Sequence, residues 1–154
     1  MWYFQTKGLL AALLATLFSL GCTAPSGADG ASGEASDSVE LENTHWRLTH
    51  LSGQPVAQGE GRREAHLILR SDQGQAGGSD GCNSFFGGYR VEGESIRFDP
   101  LAATKMHCAE GMDTARAFHA ALAEARRWRV QGEQLELYDA SGGVVAGFQA
   151  THPE

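Results

Sequence analysis

Residues Gly77 to Tyr89 read GGSDGCNSFFGGY, a run of thirteen residues with five glycines, one cysteine, one asparagine and three aromatic rings. Glycine accepts backbone conformations with positive φ and lets another chain segment pass close by. The run therefore predicts a tight, bulged crossing between two strands, with its rings turned inward and Asn83 hydrogen-bonded to the turn. Cys82 then lies at the bend, where its sulfur can meet a partner.

Short strands separated by hairpin-length turns are predicted on both sides of this bend. Residues 44–51 alternate between polar and apolar side chains, which is typical of a half-buried strand with Trp46 and Leu48 on one face. Glu92-Gly93-Glu94 has the composition of a hairpin turn. Because consecutive hairpins pair antiparallel, we expect an antiparallel sheet. Its other strands are predicted at residues 66–70, 89–91, 95–98, 128–130, 135–138 and 144–148, with one more strand starting near Gln75 and an extended segment at residues 101–108.

One helix is predicted late in the chain, capped by Asp113 and running to about Arg127. Arg126 and Arg127 would suit the negative end of its dipole. An apolar stripe recurs at helical spacing and comprises Ala115, Phe118, Leu122 and Ala125. The predicted fold class is therefore α+β: a strongly bent antiparallel sheet or incomplete β-barrel of seven to eight short strands, with one helix covering an opening.

The amino-terminal segment has the features of a secretory signal peptide at residues 1–21. Lys7 precedes an apolar run from Leu9 to Leu20, and small residues follow. The run is shorter than the roughly 20 apolar residues that a membrane span needs. Its end, Ser19-Leu20-Gly21-Cys22, resembles a bacterial lipobox, although Leu or Val is usual where Ser19 stands. This resemblance implies lipidation of Cys22 and a membrane anchor, with plain secretion to the periplasm as the alternative.

Residues 22–43 are predicted to be a flexible polar tether, because small and polar side chains cannot bury enough apolar surface to fold. The folded domain is predicted at residues 44–150. The formal net charge of −7 argues against a nucleic-acid partner, since such proteins normally carry a basic face.

The order of several motifs resembles the META domain family, which includes HslJ-like envelope lipoproteins. The resemblance covers residues 44–148 and rests on Trp46 near the start, on the paired patterns GCN-x-F-x-G-x-Y and T-[KR]-M-x-C, and on the late helix. The matching positions are Gly81, Cys82, Asn83, Phe85, Gly87, Tyr89, Thr104, Met106 and Cys108.

This resemblance implies a compact β-rich fold, a frequent envelope location and no established catalytic activity. We expect no cofactor. By the lipobox resemblance, Thr23 after Cys22 favours the periplasmic face of the outer membrane. The expected role is stress tolerance or support of another envelope protein. The alternative is a binding module, similar to pilot lipoproteins, that holds an acyl chain or a partner's peptide in an apolar barrel cavity.

Cys82 and Cys108 suit three kinds of site: a disulfide, a metal site or a Cys–His nucleophile. In an oxidising envelope the two are expected to form a disulfide worth roughly 3–3.5 kcal/mol, with two free buried thiols as the alternative. A metal site would need both sulfurs with His107 and His119, but His107 and Cys108 point to opposite faces of a strand. A Cys–His nucleophile would need a free thiolate. We therefore predict no catalytic residue and no metal ligand.

Overall fold

The computed structural model of the chain describes residues 38–57 and 63–152. The predicted signal peptide, Cys22 and most of the predicted tether lie outside the described residues. The elements are β1 His45–Leu51, β2 Gln54–Pro55, β3 Ala65–Arg70, β4 Gln75–Asp80, β5 Ser84–Glu92, β6 Ser95–Phe98, β7 Ala102–Ala103, α1 Met112–Glu124, β8 Arg127–Gln131, β9 Gln134–Tyr138 and β10 Val144–Thr151.

Eight of these strands close into an antiparallel barrel. The order around the ring is β1, β3, β4, β5, β6, β8, β9 and β10, and β10 pairs again with β1. The two short strands lie off the ring, with β2 beside the end of β1 and β7 beside β5. The predicted bent antiparallel sheet with a covering helix is confirmed. Its closure is a further finding, since the sequence predicted an incomplete barrel.

The pairing of β6 with β8 is the shortest in the barrel. Ser95 and Arg127 are the paired residues there. Two backbone hydrogen bonds flank them, from Ile96 N–H to the Arg126 carbonyl and from Trp128 N–H to the Glu94 carbonyl, both at 3.0 Å. The Trp128 indole N–H also donates to the Gly93 carbonyl at 3.0 Å. This short pairing completes the ring, in which the other neighbouring strands are joined by longer ladders of hydrogen bonds.

Alternate side chains of the strands fill the barrel interior. An eight-stranded barrel is about wide enough for side chains to fill it, and aromatic and branched residues do so here. Together with Phe118 and Leu122 of α1, the largest fully buried apolar side chains are Trp46, Leu48, Leu67, Leu69, Ile96, Leu135, Leu137 and Phe148.

The packed region begins before the predicted boundary at residue 44. Leu41 is buried, and its carbonyl accepts the indole N–H of Trp46 at 2.8 Å. Val39 N–H donates to the Gly132 carbonyl at 3.1 Å. Residues 39–43 therefore cover one part of the core instead of extending the tether.

The helix lies where predicted, but its ends differ from the prediction. Gly111, in a left-handed conformation, occupies the N-cap, and no side chain caps the helix. The prediction that Asp113 is the cap is wrong, because Asp113 lies within the first turn. The helix ends at Glu124, so Arg127 begins β8. Arg126, although outside the helix, donates to the Ala123 carbonyl at 2.8 Å and so still satisfies the negative end.

The apolar stripe of α1 seals the interior of the barrel. Ala115, Phe118 and Leu122 are buried as predicted, together with Ala121. The Phe118 ring contacts Phe85 of β5 at 5.6 Å and Phe148 of β10 at 5.9 Å between centroids. Since β5 and β10 lie on opposite sides of the ring, one helical side chain joins both walls.

Two neighbouring glycines of β4 give a matched test of how closely β3 and β4 approach. A methyl group on Gly78 would lie 2.0 Å from the backbone oxygen of His66, whereas one on Gly77 would meet nothing closer than 3.4 Å. We expect Gly78→Ala to lower the free energy of unfolding by about 1–3 kcal/mol, since backbone must move. Gly77→Ala should change it by less than about 1 kcal/mol. Urea unfolding of both variants checks this, and equal midpoints would contradict the approach described.

Candidate functional site

The bend between β4 and β5 is held by a buried carboxylate. Asp80 is only 1% exposed, and one of its oxygens accepts the backbone N–H of Cys82 at 2.9 Å and of Asn83 at 2.6 Å. Gly81 supplies the positive φ of 94° that the turn requires. Asn83 bonds the turn as predicted, but through its backbone, because its N–H donates to Asp80 and its carbonyl accepts the Asp80 N–H at 2.9 Å. The side chain that holds the turn is that of Asp80.

Asn83 also joins the bend to the segment after β7. Its side-chain oxygen accepts from the Thr104 hydroxyl at 3.1 Å and from the Met106 N–H at 2.7 Å. The Thr104 hydroxyl in turn accepts from the Ser84 N–H at 3.2 Å. Two motifs that lie about twenty residues apart thus form one hydrogen-bonded unit.

A disulfide links the same two segments. The sulfurs of Cys82 and Cys108 are bonded at 2.02 Å, and their Cα atoms are 6.0 Å apart. We call Asp80, Cys82, Asn83, Thr104, Met106 and Cys108 together the junction. It fixes the bend against the segment that leads into α1.

The helix is anchored to the junction through His119. Its Nε2 lies 3.0 Å from the second oxygen of Asp80, and its ring meets Phe85 edge-on at 5.4 Å. The metal site that the sequence suggested at Cys82, Cys108, His107 and His119 is not formed. Cys82 and Cys108 bond to each other, and His119 binds Asp80. For the same reason neither sulfur is available as a nucleophile.

The rings that follow the bend alternate between the interior and the surface. Phe85 and Tyr89 are 2% and 8% exposed, as the inward prediction requires. Phe86 is 62% exposed, so that prediction is wrong for this ring. The cause is the strand itself, because neighbouring residues of β5 point to opposite faces. Met106 is also exposed, at 51%.

Gly87 permits a close crossing of two chain segments. A methyl group there would lie 2.7 Å from the Leu101 side chain and 3.3 Å from the Pro100 carbonyl. This position of the motif is therefore explained by space, since β5 must pass directly beneath residues 100–101.

Tyr89 binds the segment that precedes β1. Its phenol donates to the carboxylate of Glu42. Burial and this hydrogen bond raise the pKa of Tyr89 above its ordinary value of 10. Tyr89 thereby fastens residues 39–43 to the barrel wall.

The raised pKa of Tyr89 predicts a loss of stability at alkaline pH. The unfolded chain releases this proton near pH 10, while the folded chain retains it to higher pH. Stability from this group is therefore complete below pH 10 and falls as pH rises above it. We expect Tyr89→Phe to lose less unfolding free energy than wild type between about pH 9 and about pH 11. Urea unfolding across this range checks the prediction, and parallel curves would refute it.

A separate group of side chains lies on the outer face of the barrel. His45 on β1 and His66 on β3 stack with centroids 4.3 Å apart. Glu64 lies beside them, with a carboxylate oxygen 3.8 Å from Nδ1 of His45. Burial lowers the pKa of His66, opposed by its hydrogen bond to the Glu64 carbonyl. The neutral imidazole is thus the favoured form at neutral pH.

Comparison with known proteins places these motifs in a family. A model of the META domain matches residues 39–152, which include the junction, Trp46, Tyr89 and every described strand. The chain belongs to the META domain family. The match also begins at residue 39, where the packing of the folded region begins.

Two solved structures resemble this META domain. An NMR structure of a protein from Burkholderia xenovorans has a TM-score of 0.60 and 26% identity, over 73% of this chain and 85% of that chain. A second NMR structure has a TM-score of 0.55 and 21% identity, over 71% of this chain and 90% of that chain; this likeness shows the fold alone. No curated protein gives a significant match.

The signature residues of this META domain are thus mainly structural. Trp46 and Phe85 fill the barrel, Asn83 and Thr104 join two segments, and Gly87 allows a close crossing. Across residues 38–57 and 63–152, no helix combines the length and the apolar character needed to cross a bilayer.

Sequence reasoning missed two features of the META domain. The pattern gave Asp80 no role of its own, although an Asp two residues before Cys82 is the usual signal for a side chain that caps a turn. It also did not bring His45 and His66 together. Their proximity depends on the pairing of β1 with β3, which the alternation within one strand does not reveal.

Proposed function

We propose that this chain is a non-catalytic bacterial envelope lipoprotein. Its META domain would act outside the cytoplasm in stress tolerance or in support of another envelope component. The observation that carries the proposal is the disulfide between Cys82 and Cys108. Such bonds persist in oxidising compartments and are rare in the cytosol, and this one follows a sequence that resembles a signal peptide with a lipobox.

The proposed anchor is lipid attached to Cys22. Several acyl chains on one residue would hold a protein stably at a membrane, since each buried methylene contributes about 0.8 kcal/mol. The proposed location is the periplasmic face of the outer membrane, and the proposed partners are the membrane and an envelope protein. Plain secretion to the periplasm is the competing outcome.

We also propose that the chain is not an enzyme, and the described residues support this part of the proposal. Both cysteines of the domain are bonded to each other, so neither offers a thiolate. His119 and Asp80 form a pair that resembles the His–Asp part of a catalytic triad, but Asp80 is committed to the backbone of the bend. The cavity beside His119 is lined by Phe98, Asp99, Pro100, Leu101 and Ala123, none of which has a hydroxyl or thiol nucleophile.

An acyl chain or peptide held inside the barrel is the weaker candidate. The interior positions of the described strands carry the chain's own side chains, and Phe118 of the helix reaches both walls. A ligand of that kind would have to displace α1. The exposed apolar side chains of Phe86 and Met106 are better candidates for contact with a partner protein.

The anchor is tested by expressing the full chain in a Gram-negative host and separating membranes from soluble periplasm. Intact mass after detergent extraction should show cleavage before Cys22 and a diacylglyceryl group with a further acyl chain. The matched variant is Cys22→Ala, which keeps both domain cysteines and should lose the acyl mass and membrane association. Soluble wild-type protein without acyl mass would refute the anchor and leave plain secretion.

The physiological role is tested in a strain that lacks the chain. We expect lower survival after heat or envelope stress, restored by wild type and restored poorly by Cys22→Ala. Equal survival of the deletion strain under both stresses would refute the proposed role. The two experiments fail independently, because the anchor does not require the stress phenotype.

A further inference from the structure

We propose that His45, Glu64 and His66 form a binding site for a divalent transition-metal cation such as Zn²⁺. The site lies on the outer face of the barrel, and none of its three residues belongs to the junction. It is independent of Cys22, so it does not depend on the proposed lipid anchor.

The pairing of β1 with β3 brings the two histidines together. The register aligns His45 with Ile68 and Arg47 with His66, so His45 and His66 are diagonal neighbours. Both have partly exposed side chains, while Trp46 and Leu67 between them point into the core. Glu64 lies just before β3 and extends over the same face.

The three side chains are close enough to share one ion. One ligand atom from each residue lies within 4.8 Å of the other two. A tetrahedral zinc site with bonds of about 2.0–2.1 Å separates its ligand atoms by roughly 3.4 Å. The required approach is about 1.4 Å or less, and Glu64, with a side chain 43% exposed, has room to rotate by that amount.

Hydrogen bonds to the backbone and to Thr151 orient both imidazoles. Nδ1 of His66 lies 3.2 Å from the Glu64 carbonyl; a carbonyl only accepts, so Nδ1 carries the proton. Nδ1 of His45 lies 2.7 Å from the Thr151 hydroxyl, which itself donates to the His45 carbonyl at 3.4 Å. In His66 Nε2 keeps its lone pair, whereas Nδ1 of His45 is the nitrogen that lies 3.8 Å from the Glu64 carboxylate, so metal binding there would replace its contact with Thr151. Metal-binding histidines are commonly oriented by such second hydrogen bonds.

The surroundings leave space for a further ligand. A cavity of about 380 Å³ opens beside the cluster, and its lining is completed by Arg63, Gly78, Ser79 and Ser84. Two histidines and one glutamate are a known zinc ligand set in which water fills the fourth position. Imidazole ligands favour Zn²⁺, Cu²⁺, Ni²⁺ and Co²⁺ over Mg²⁺ and Ca²⁺, which prefer oxygen.

The test uses the full chain, purified in detergent without an affinity tag and stripped of metal. Zn²⁺ is titrated calorimetrically, and Co²⁺ is followed through its visible absorption bands. We expect one equivalent of either ion per chain, with no saturable binding of Mg²⁺ or Ca²⁺. Glu64→Gln and His66→Gln should each weaken Zn²⁺ binding at least tenfold, because loss of even an outer partner of a metal ligand costs about 10–100-fold in affinity.

The control is His50→Ala. His50 is an exposed histidine on β1, the strand that also carries His45, but it lies outside the cluster. This variant should bind Zn²⁺ as wild type does. Glu64 precedes its strand and is exposed, so Glu64→Gln tests the site even if the histidine variant folds poorly. No saturable binding to wild type, equal binding by wild type and Glu64→Gln, or an equal loss in His50→Ala would each overturn the proposal.

Discussion

Replacing Phe118 with alanine is expected to lower the free energy of unfolding by about 3–5 kcal/mol. The ring is fully buried, and it contacts Phe85 and Phe148 on opposite walls of the barrel. Its removal leaves a cavity where the helix meets the interior, and a closed ring of strands cannot collapse easily to fill it. Chemical denaturation followed by tryptophan fluorescence measures the loss, because Trp46 is buried in the same core.

Phe86→Ala provides the matched control for Phe118→Ala. The chemical change is identical, but Phe86 is 62% exposed on β5, so we expect a change within about 0.5 kcal/mol. Similar losses for the two variants would show that the helix does not seal the barrel through Phe118.

Removing the disulfide is the second large expected effect. The double variant Cys82→Ala with Cys108→Ala should lose about 3.5 kcal/mol of unfolding free energy, because the bond closes a loop of about 25 residues in the unfolded chain. Denaturant unfolding with and without a strong reductant measures the effect. The reductant should bring wild type close to the double variant.

The double variant also supplies the control for this experiment. Reductant should not alter its unfolding midpoint, since it has no bond left to break. If oxidised and reduced wild type unfold at the same denaturant concentration, the bond does not stabilise the domain. Two reactive thiols in the native, oxidised domain would mean that Cys82 and Cys108 are not joined.

Local features of the fold could be predicted from sequence because they depend on neighbouring residues. The hairpin at Gly93 follows from turn chemistry, and the buried stripe of α1 follows from spacing. The N-cap was mistaken because Asp113 suits both a cap and a first helical turn, and Gly111 carries no side chain to mark it. Closure was not predictable, because it pairs His45 with Thr151, residues separated by 106 positions.

The candidate sites were predicted less completely than the fold. The motif containing Asn83 and Thr104 indicates contact between two segments, but only the structure shows which atoms meet. Phe86 was assigned to the core because three rings occur together, whereas strand alternation places one of them outside. The cluster of His45 and His66 required both the pairing of β1 with β3 and its register, and neither is encoded within a single segment.

The pairing of β1 with β10 also constrains when the chain can acquire its native form. A ribosome or a translocation pore releases the amino end first, so the first strand emerges long before its last neighbour exists. Contacts between such distant segments form slowly, since a long loop must close before they are gained. Until then the edge of β1 remains open to wrong partners. We therefore expect the ring to be completed only after release of the carboxyl-terminal strand.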